Sequence, residues 1–189
     1  MNKEAFIYRI DSADTIISVS DNWQIFADEN AWDGFLRPEN VVGQKIWKFI
    51  QGIETQYLYQ ELFKRVREGI SPQAIPFRCD SPSERRYLEL LIKSLPDGQI
   101  EIISTILRSE SRSTVKLLAV DTARSNDFIT VCSMCKMIKV SAEKWIEIED
   151  GLIFFKLFET DEMPQLTHGL CQPCCQTAQN STLPRPDID

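Results

Sequence analysis

Residues 87–107, YLELLIKSLPDGQIEIISTIL, hold two β-prone runs joined through Leu95-Pro96-Asp97-Gly98. The Asp-Gly pair tolerates the positive φ angles of a tight turn, so the stretch predicts an antiparallel hairpin of Tyr87–Ile92 with Gln99–Leu107. Just upstream, Ile75, Phe77 and Cys79 alternate with Pro76 and Arg78, the pattern of an edge strand, and CDSPSE supplies the loop between. Further back, Ile53, Tyr57, Leu58, Leu62, Phe63 and Val66 recur at steps of three and four and predict a helix over 53–66, stopped at Gly69. Ile16–Val19 reads as a short strand, Asp21-Asn22 as a turn, and Trp23–Phe26 as the partner strand of a first hairpin. Ala31–Leu36 reads as one or two helical turns. The order predicts an α+β fold, an antiparallel sheet with helices over one face.

Beyond the hairpin the character changes. Residues 108–124, RSESRSTVKLLAVDTAR, begin as a charged, Ser-rich linker, and Val115–Val120 is apolar enough to be either a strand or a docking segment. Trp145-Ile146-Glu147-Ile148-Glu149 alternates as a strand would, and Leu152–Phe158 is a dense apolar run of open type. From Gln176 the chain is polar with two prolines, the composition of a disordered tail.

The chemistry sits in two close cysteine pairs, Cys132-Ser-Met-Cys135 and Cys171-Gln-Pro-Cys174. Such a turn converges two sulfurs on one ion while its backbone N–H groups ease the thiolate charge, and two turns complete a tetrahedron. The expected ligands are Cys132, Cys135, Cys171 and Cys174, holding zinc in preference to iron, since nothing else suggests electron transfer. His168, the only histidine, stands three residues before Cys171. It is either a nitrogen ligand replacing one sulfur or a hydrogen-bonding group behind the ligands. Cys175 is an alternative ligand or a buried bystander. A thiol redox switch, in which oxidation releases zinc, fits the same cysteines.

Other classes find little support. The chain carries 21 basic against 28 acidic residues, and the 121–175 segment carries five against nine, a surface that repels phosphate and argues against nucleic acid. No apolar run reaches membrane-spanning length, and MNKEAFIYRI lacks the apolar centre of a signal peptide, so a cytoplasmic location without membrane association is expected. There is no GxxxxGK[ST] and no GxGxxG, and one histidine leaves the Ser/His and Cys/His arrangements without a base. Four thiolates leave no open position for water, so no enzyme is expected. The acidic runs Glu147, Glu149, Asp150 and Glu159, Asp161, Glu162 read as solvated faces.

The paired short strands, the segment NVVGQKIWKFIQG before the long helix, and the hairpin through PDGQIEII together resemble a PAS domain over about residues 10–108. The C-terminal part is similar to a small cysteine-rich module found beside bacterial sensory domains, with the pattern CxxCK, then W and E, then THGxCxxC. Here that pattern is Cys132 to Lys136, Trp145, Glu149 and Thr167-His168-Gly169-Leu-Cys171-Gln-Pro-Cys174. The division that follows is a PAS-like domain over 1–108, a linker over 109–127, a zinc-ribbon-like binding module over 128–175 and a disordered tail over 176–189. The resemblance implies signal perception through a small cavity or a dimer surface. A stand-alone bacterial sensor or adaptor in signal transduction is expected, acting on a protein partner or as a homodimer, with Trp23, Trp47, Phe77 and Tyr87 lining a pocket for a small-molecule ligand. Histidine-ligated haem is not expected, because residues 1–167 contain no histidine. Flavin photochemistry is not expected either, because Cys79, the only cysteine of the region, lies at a strand end.

Overall fold

The computed structural model describes residues 4–25 and 36–181. Its larger sheet has five antiparallel strands in the order β2-β1-β5-β4-β3. These are β1 (Ala5–Ile10), β2 (Ile16–Val19), β3 (Ile75–Arg78), β4 (Glu84–Ser94) and β5 (Ile100–Ser111). The expected hairpin is the longest pairing, running from Ser94 opposite Ile100 to Glu84 opposite Ser111 with one irregularity at Tyr87/Leu88. At its turn Asp97 and Gly98 take φ of 60° and 72°, the left-handed region that this residue pair tolerates.

Alternation turns Leu88, Leu90 and Ile92 of β4 and Ile100 and Ile102 of β5 to the buried face. Helix α1 (Pro38–Val41) contributes Val41, and α2 (Ile53–Arg67) contributes Leu58, Leu62, Phe63 and Val66, to the same core. Each such side chain contributes about 1.5–3 kcal/mol by leaving water. Gly69, with φ of 89°, ends the helix as expected: its N–H reaches Val66 O at 3.0 Å and Ile70 N–H reaches Arg65 O at 2.9 Å. Ile53 and Tyr57, placed by periodicity on the buried stripe, are instead 87% and 62% exposed. The first turn of α2 meets the cysteine unit and not the sheet, which buries Thr55 in their stead.

The first hairpin also differs from expectation. The partner of β2 is β1, with Tyr8 opposite Val19, and residues 23–25 are helical. Trp23 N–H donates to Ser20 O at 2.9 Å, which curls the chain where a strand was expected. Phe26 and most of the expected turns over Ala31–Leu36 lie outside the described residues.

The C-terminal unit is a second, four-stranded sheet in the order β8-β7-β6-β9. It consists of β6 (Arg124–Cys132), β7 (Ile138–Lys139), β8 (Trp145–Ile146) and β9 (Met163–Gly169), with α3 (Ile148–Phe154) and α4 (Gln172–Asn180). Strands β6 and β9 run parallel, Val131 opposite His168 and Cys132 opposite Gly169. Val115 and Leu117 are buried in this unit's own cluster with Ile129, Val131, Ile138, Ile148 and Leu152. The 115–120 segment is therefore a docking segment with a 3-10 turn. The strand expected over Trp145–Glu149 stops at Ile146. Gly151 lets α3 close onto β7, since a Cβ there would lie 2.7 Å from Ile138 Cδ1. Residues 176–180, assigned to the tail by composition, complete α4 because Ala178 is buried in the larger core.

Candidate metal centre and adjoining cavity

Strands β6 and β9 end side by side, and each runs straight into one cysteine pair. The Sγ atoms of Cys132, Cys135, Cys171 and Cys174 all lie within 4.8 Å of one another, with Cys132–Cys171 at 3.6 Å and Cys135–Cys171 at 3.7 Å. A tetrahedron with metal–sulfur bonds of about 2.3 Å has sulfur–sulfur edges of about 3.8 Å, so these separations fit a single ion. Cys132 and Cys171 are buried, Cys135 and Cys174 half-buried.

The backbone shapes both turns. Lys136 N–H closes the first on Cys132 O at 3.0 Å, and Ser133 N–H ties it to Gly169 O at 2.9 Å. The second turn is the N-terminus of α4, with Cys171 at the N-cap, Pro173 in the first turn and Cys171 N–H directed to Cys132 Sγ at 3.5 Å. The positive end of that helix favours thiolates. Four thiols this close cannot all ionise without a cation. Hydrogen bonds from Cys135 and Cys174 pull the Cys132 thiol down, and Cys135 and Cys174 are pushed up because each donates its proton toward Cys132. Such a donor set is suited to a metal ion.

The first turn of α2 clamps both cysteine turns. Thr55 Oγ1 meets Ser133 Oγ at 2.7 Å, and Glu54 Oε2 accepts Leu170 N–H at 2.9 Å. Gly52, with φ of 86°, lies so close to β9 that a Cβ would come within 2.6 Å of His168 O. On another side, Arg78 N–H donates to Met134 O at 2.7 Å, and its guanidinium grips both oxygens of Glu147 at 3.0 and 2.8 Å. Arg78 also pairs with the buried Asp80, which Arg112 reaches at 3.1 Å, while Arg85 meets Glu149 at 2.9 Å. Glu147 and Glu149, expected as part of a solvated face, are thus bound to arginines of the larger sheet. Burial alone would lower the Arg78 pKa, but hydrogen bonds to Asp80 and Glu147 outweigh it and raise it.

Of the remaining sequence-derived candidates, His168 and Cys175 are not in the four-sulfur cluster. Cys175 lines a surface groove between α2 and α4. His168 lines a cavity of about 700 Å³ between the larger sheet, its helical cover and the cysteine unit, and burial, then the nearby Lys136 charge, lowers its pKa. Trp23 and Phe77 line that cavity too. Trp47 and Tyr87 make their contacts elsewhere. Trp47 packs on Phe63 at 5.8 Å and donates to Asp14 at 3.2 Å, whereas Tyr87 lies under the Arg108 guanidinium at 3.9 Å with its hydroxyl donating to Glu110 at 3.3 Å. Ser133, Met134 and Lys136, flanking the first cysteine pair, were not expected in the lining, nor were Tyr8 and Tyr59. The lysine of CxxCK was the one legible signal. Residues 1–167 contain no histidine, yet β9 delivers His168 to this cavity from the cysteine unit.

The sheet order and its one-sided helical cover define an α+β, PAS-like fold joined to a small four-cysteine unit. Among solved structures, the chain is similar to the PAS domain of the Cronobacter turicensis RpfR quorum-sensing receptor in complex with C12:0, at 14% identity, covering 57% of this chain and 98% of that one with a TM-score of 0.41. It is similar to the photoactive yellow protein domain of the sensor histidine kinase Ppr from Rhodospirillum centenum, at 13% identity over 53% and 83% with a TM-score of 0.37. The Drosophila melanogaster Cycle PAS-B domain with bound glycerol matches at 17% identity over 57% and 99% with a TM-score of 0.33. No protein-family model matches the chain, and no curated protein matches it in sequence. No helix among the described residues is long and apolar enough to cross a membrane.

Proposed function

We propose that the chain is a PAS-like sensor or adaptor of a bacterial cytoplasm, acting by protein contact, in which Cys132, Cys135, Cys171 and Cys174 hold a structural zinc ion. The observation that carries this reading is the clamp: Gly52, Glu54 and Thr55 of the PAS-like domain fix both cysteine turns at their tips, so the four-sulfur knot is built into the sensor core. Buried Cys132, Met134 and Cys171 belong to the same apolar cluster as the main sheet. A closed thiolate shell supplies rigidity and no open coordination position, which favours a non-catalytic role. Zinc suits it better than iron, because zinc brings no redox change to a structural joint. The domain division proposed is a PAS-like part ending near 108, a joining segment and a zinc-binding unit.

Protein contact is supported by Ile7, Ile103 and Leu91, which pair across three strands on the sheet face away from the core and are only half-buried. Phe128, Ile153, Phe154 and Phe158 stand exposed on the cysteine unit. The test is elemental analysis of protein purified without chelator: one zinc per chain and no iron is expected, and neither metal would end the reading. A second reading, a thiol switch, is favoured by Cys135 and Cys174 being only half-buried, in contrast to the buried Cys132 and Cys171. Zinc kept under mild peroxide supports the structural role; zinc released with disulfide formation supports the switch.

A further inference from the structure

The cavity beside the metal knot has an electrical character opposite to that of the chain. The protein carries net −7, yet the described residues lining this cavity include three basic side chains, Lys48, Arg78 and Lys136, against one acidic, Asp80. Arg78 and Asp80 are paired with each other, which leaves the two lysines as the cations a ligand can meet. Lys48 is exposed and Lys136 half-buried. Lys136 uses one of its three ammonium donors on Ser133 O at 2.9 Å. Next to it stands His168, whose Nδ1 is buried without a hydrogen-bond partner, a costly state for a polar atom unless something fills the space. Lys136, His168 and Cys79 all line this cavity. Apart from Gln51, Thr55, Ser133 and Cys79, the rest of the lining is apolar and aromatic, and about 700 Å³ lies within the size range of small-molecule sites.

We propose that this cavity binds a small amphipathic anion, its apolar, partly aromatic body held by Tyr8, Trp23, Tyr59 and Phe77 and its acidic head received by Lys136 beside His168. The polar corner is contributed by the metal unit: Lys136 directly follows the ligand Cys135, and its φ of 64° is fixed by the cysteine turn. The inference deepens the sensor reading and rests on it. Ligand and metal then share one piece of backbone, so occupancy of the cavity bears on the joint between the two units.

The left-handed backbone at Lys136 provides a clean test, because glycine is the residue such a backbone favours. Lys136→Gly deletes the cation without straining the turn, and Lys136→Met deletes it while keeping the side chain's bulk. The probe is 1-anilinonaphthalene-8-sulfonate, with N-phenyl-1-naphthylamine as the same aromatic body lacking the sulfonate. Titration of the zinc-loaded full chain should show one saturable site that prefers the sulfonate. Both variants should weaken the sulfonate about tenfold or more while changing the neutral probe less than about twofold. Backbone amide shifts on binding should gather at Phe77, Met134, Lys136 and His168. The proposal is overturned if no saturable site is found, if Lys136→Gly binds the sulfonate as tightly as the parent, or if the shifts gather in the groove between α2 and α4. Zinc content is measured on every sample: a parent chain without metal ends the metal reading, whereas full zinc with no probe bound ends this one alone.

Discussion

The two halves of the molecule hold themselves together differently. The PAS-like half closes a continuous apolar core, with β4, β5 and α2 supplying most of the fully buried side chains. The cysteine unit divides its buried residues. Ile129, Val131, Ile138, Ile148 and Leu152 form its own small cluster, while Cys132, Met134, Cys171 and Ala178 belong to its neighbour's core. A unit this small buries too little to stand on apolar packing alone, and it is fastened further by a four-cysteine knot, a buried ion-pair network and a helix tip. The sulfur end of the unit is thus the part it shares with the PAS-like half.

Breaking the knot should have the largest effect. Cys132→Ser and Cys171→Ser are expected to lose stoichiometric zinc and to lower Tm by more than about 10 °C, measured by elemental analysis and circular dichroism. If Tm fell while the cysteine unit alone melted in hydrogen exchange, the two halves would be less joined than argued here. Next is the ion-pair network. Arg78→Met leaves Asp80, only 1% exposed, with Arg112 as its one remaining cation and should cost about 3 kcal/mol by urea denaturation, of which Asp80→Asn in the same chain should restore part. Gly52→Ala forces a methyl group to within 2.6 Å of His168 O at a φ of 86° and should cost about 2–3 kcal/mol with zinc retained. The smallest effect is acid sensitivity. Burial works to raise the Glu149 pKa, but its own backbone N–H and the charges of Arg85 and Arg112 hold it below the usual 4.5. A carboxylate lowered on folding contributes stability above its unfolded pKa and loses it as pH falls through the folded value. The pH–stability curve should therefore decline below about pH 4.5, and Glu149→Gln should flatten that limb.

Much of the sheet was legible because its signals are local. The Asp97-Gly98 turn, the period-two runs on either side and the α2 stripe ending at Gly69 each need only neighbours in sequence. The spacing of the cysteine pairs likewise suffices to suggest one ion. What stayed hidden depends on distant contact. Ile53 and Tyr57 satisfy the helical period yet face out, because the first turn of α2 is occupied by Thr55 and Glu54 holding loops 78 and 116 residues away. Strand β1 sits in a stretch whose mixed charge concealed its alternation, and Trp23 lost its expected strand to a hydrogen bond with Ser20. Glu147 and Glu149 look solvent-facing in one dimension because their arginine partners come from β3, β4 and the residue just after β5. The pocket candidates divided for the same reason. Residue type marks an aromatic side chain, but only the packed chain decides whether it meets a cavity, as Phe77 does, or a guanidinium, as Tyr87 does.

The parallel pairing of β6 with β9 bears on how the four cysteines would meet a metal ion. Cys132 sits directly opposite Gly169 in that ladder, so neighbouring backbones already hold the two donor turns at chelating range. An incoming ion then has little chain left to organise. Uptake of a metal ion by the folded chain should then need little more than rotation of thiol side chains, whereas release from a closed four-sulfur shell would have to break metal–sulfur bonds.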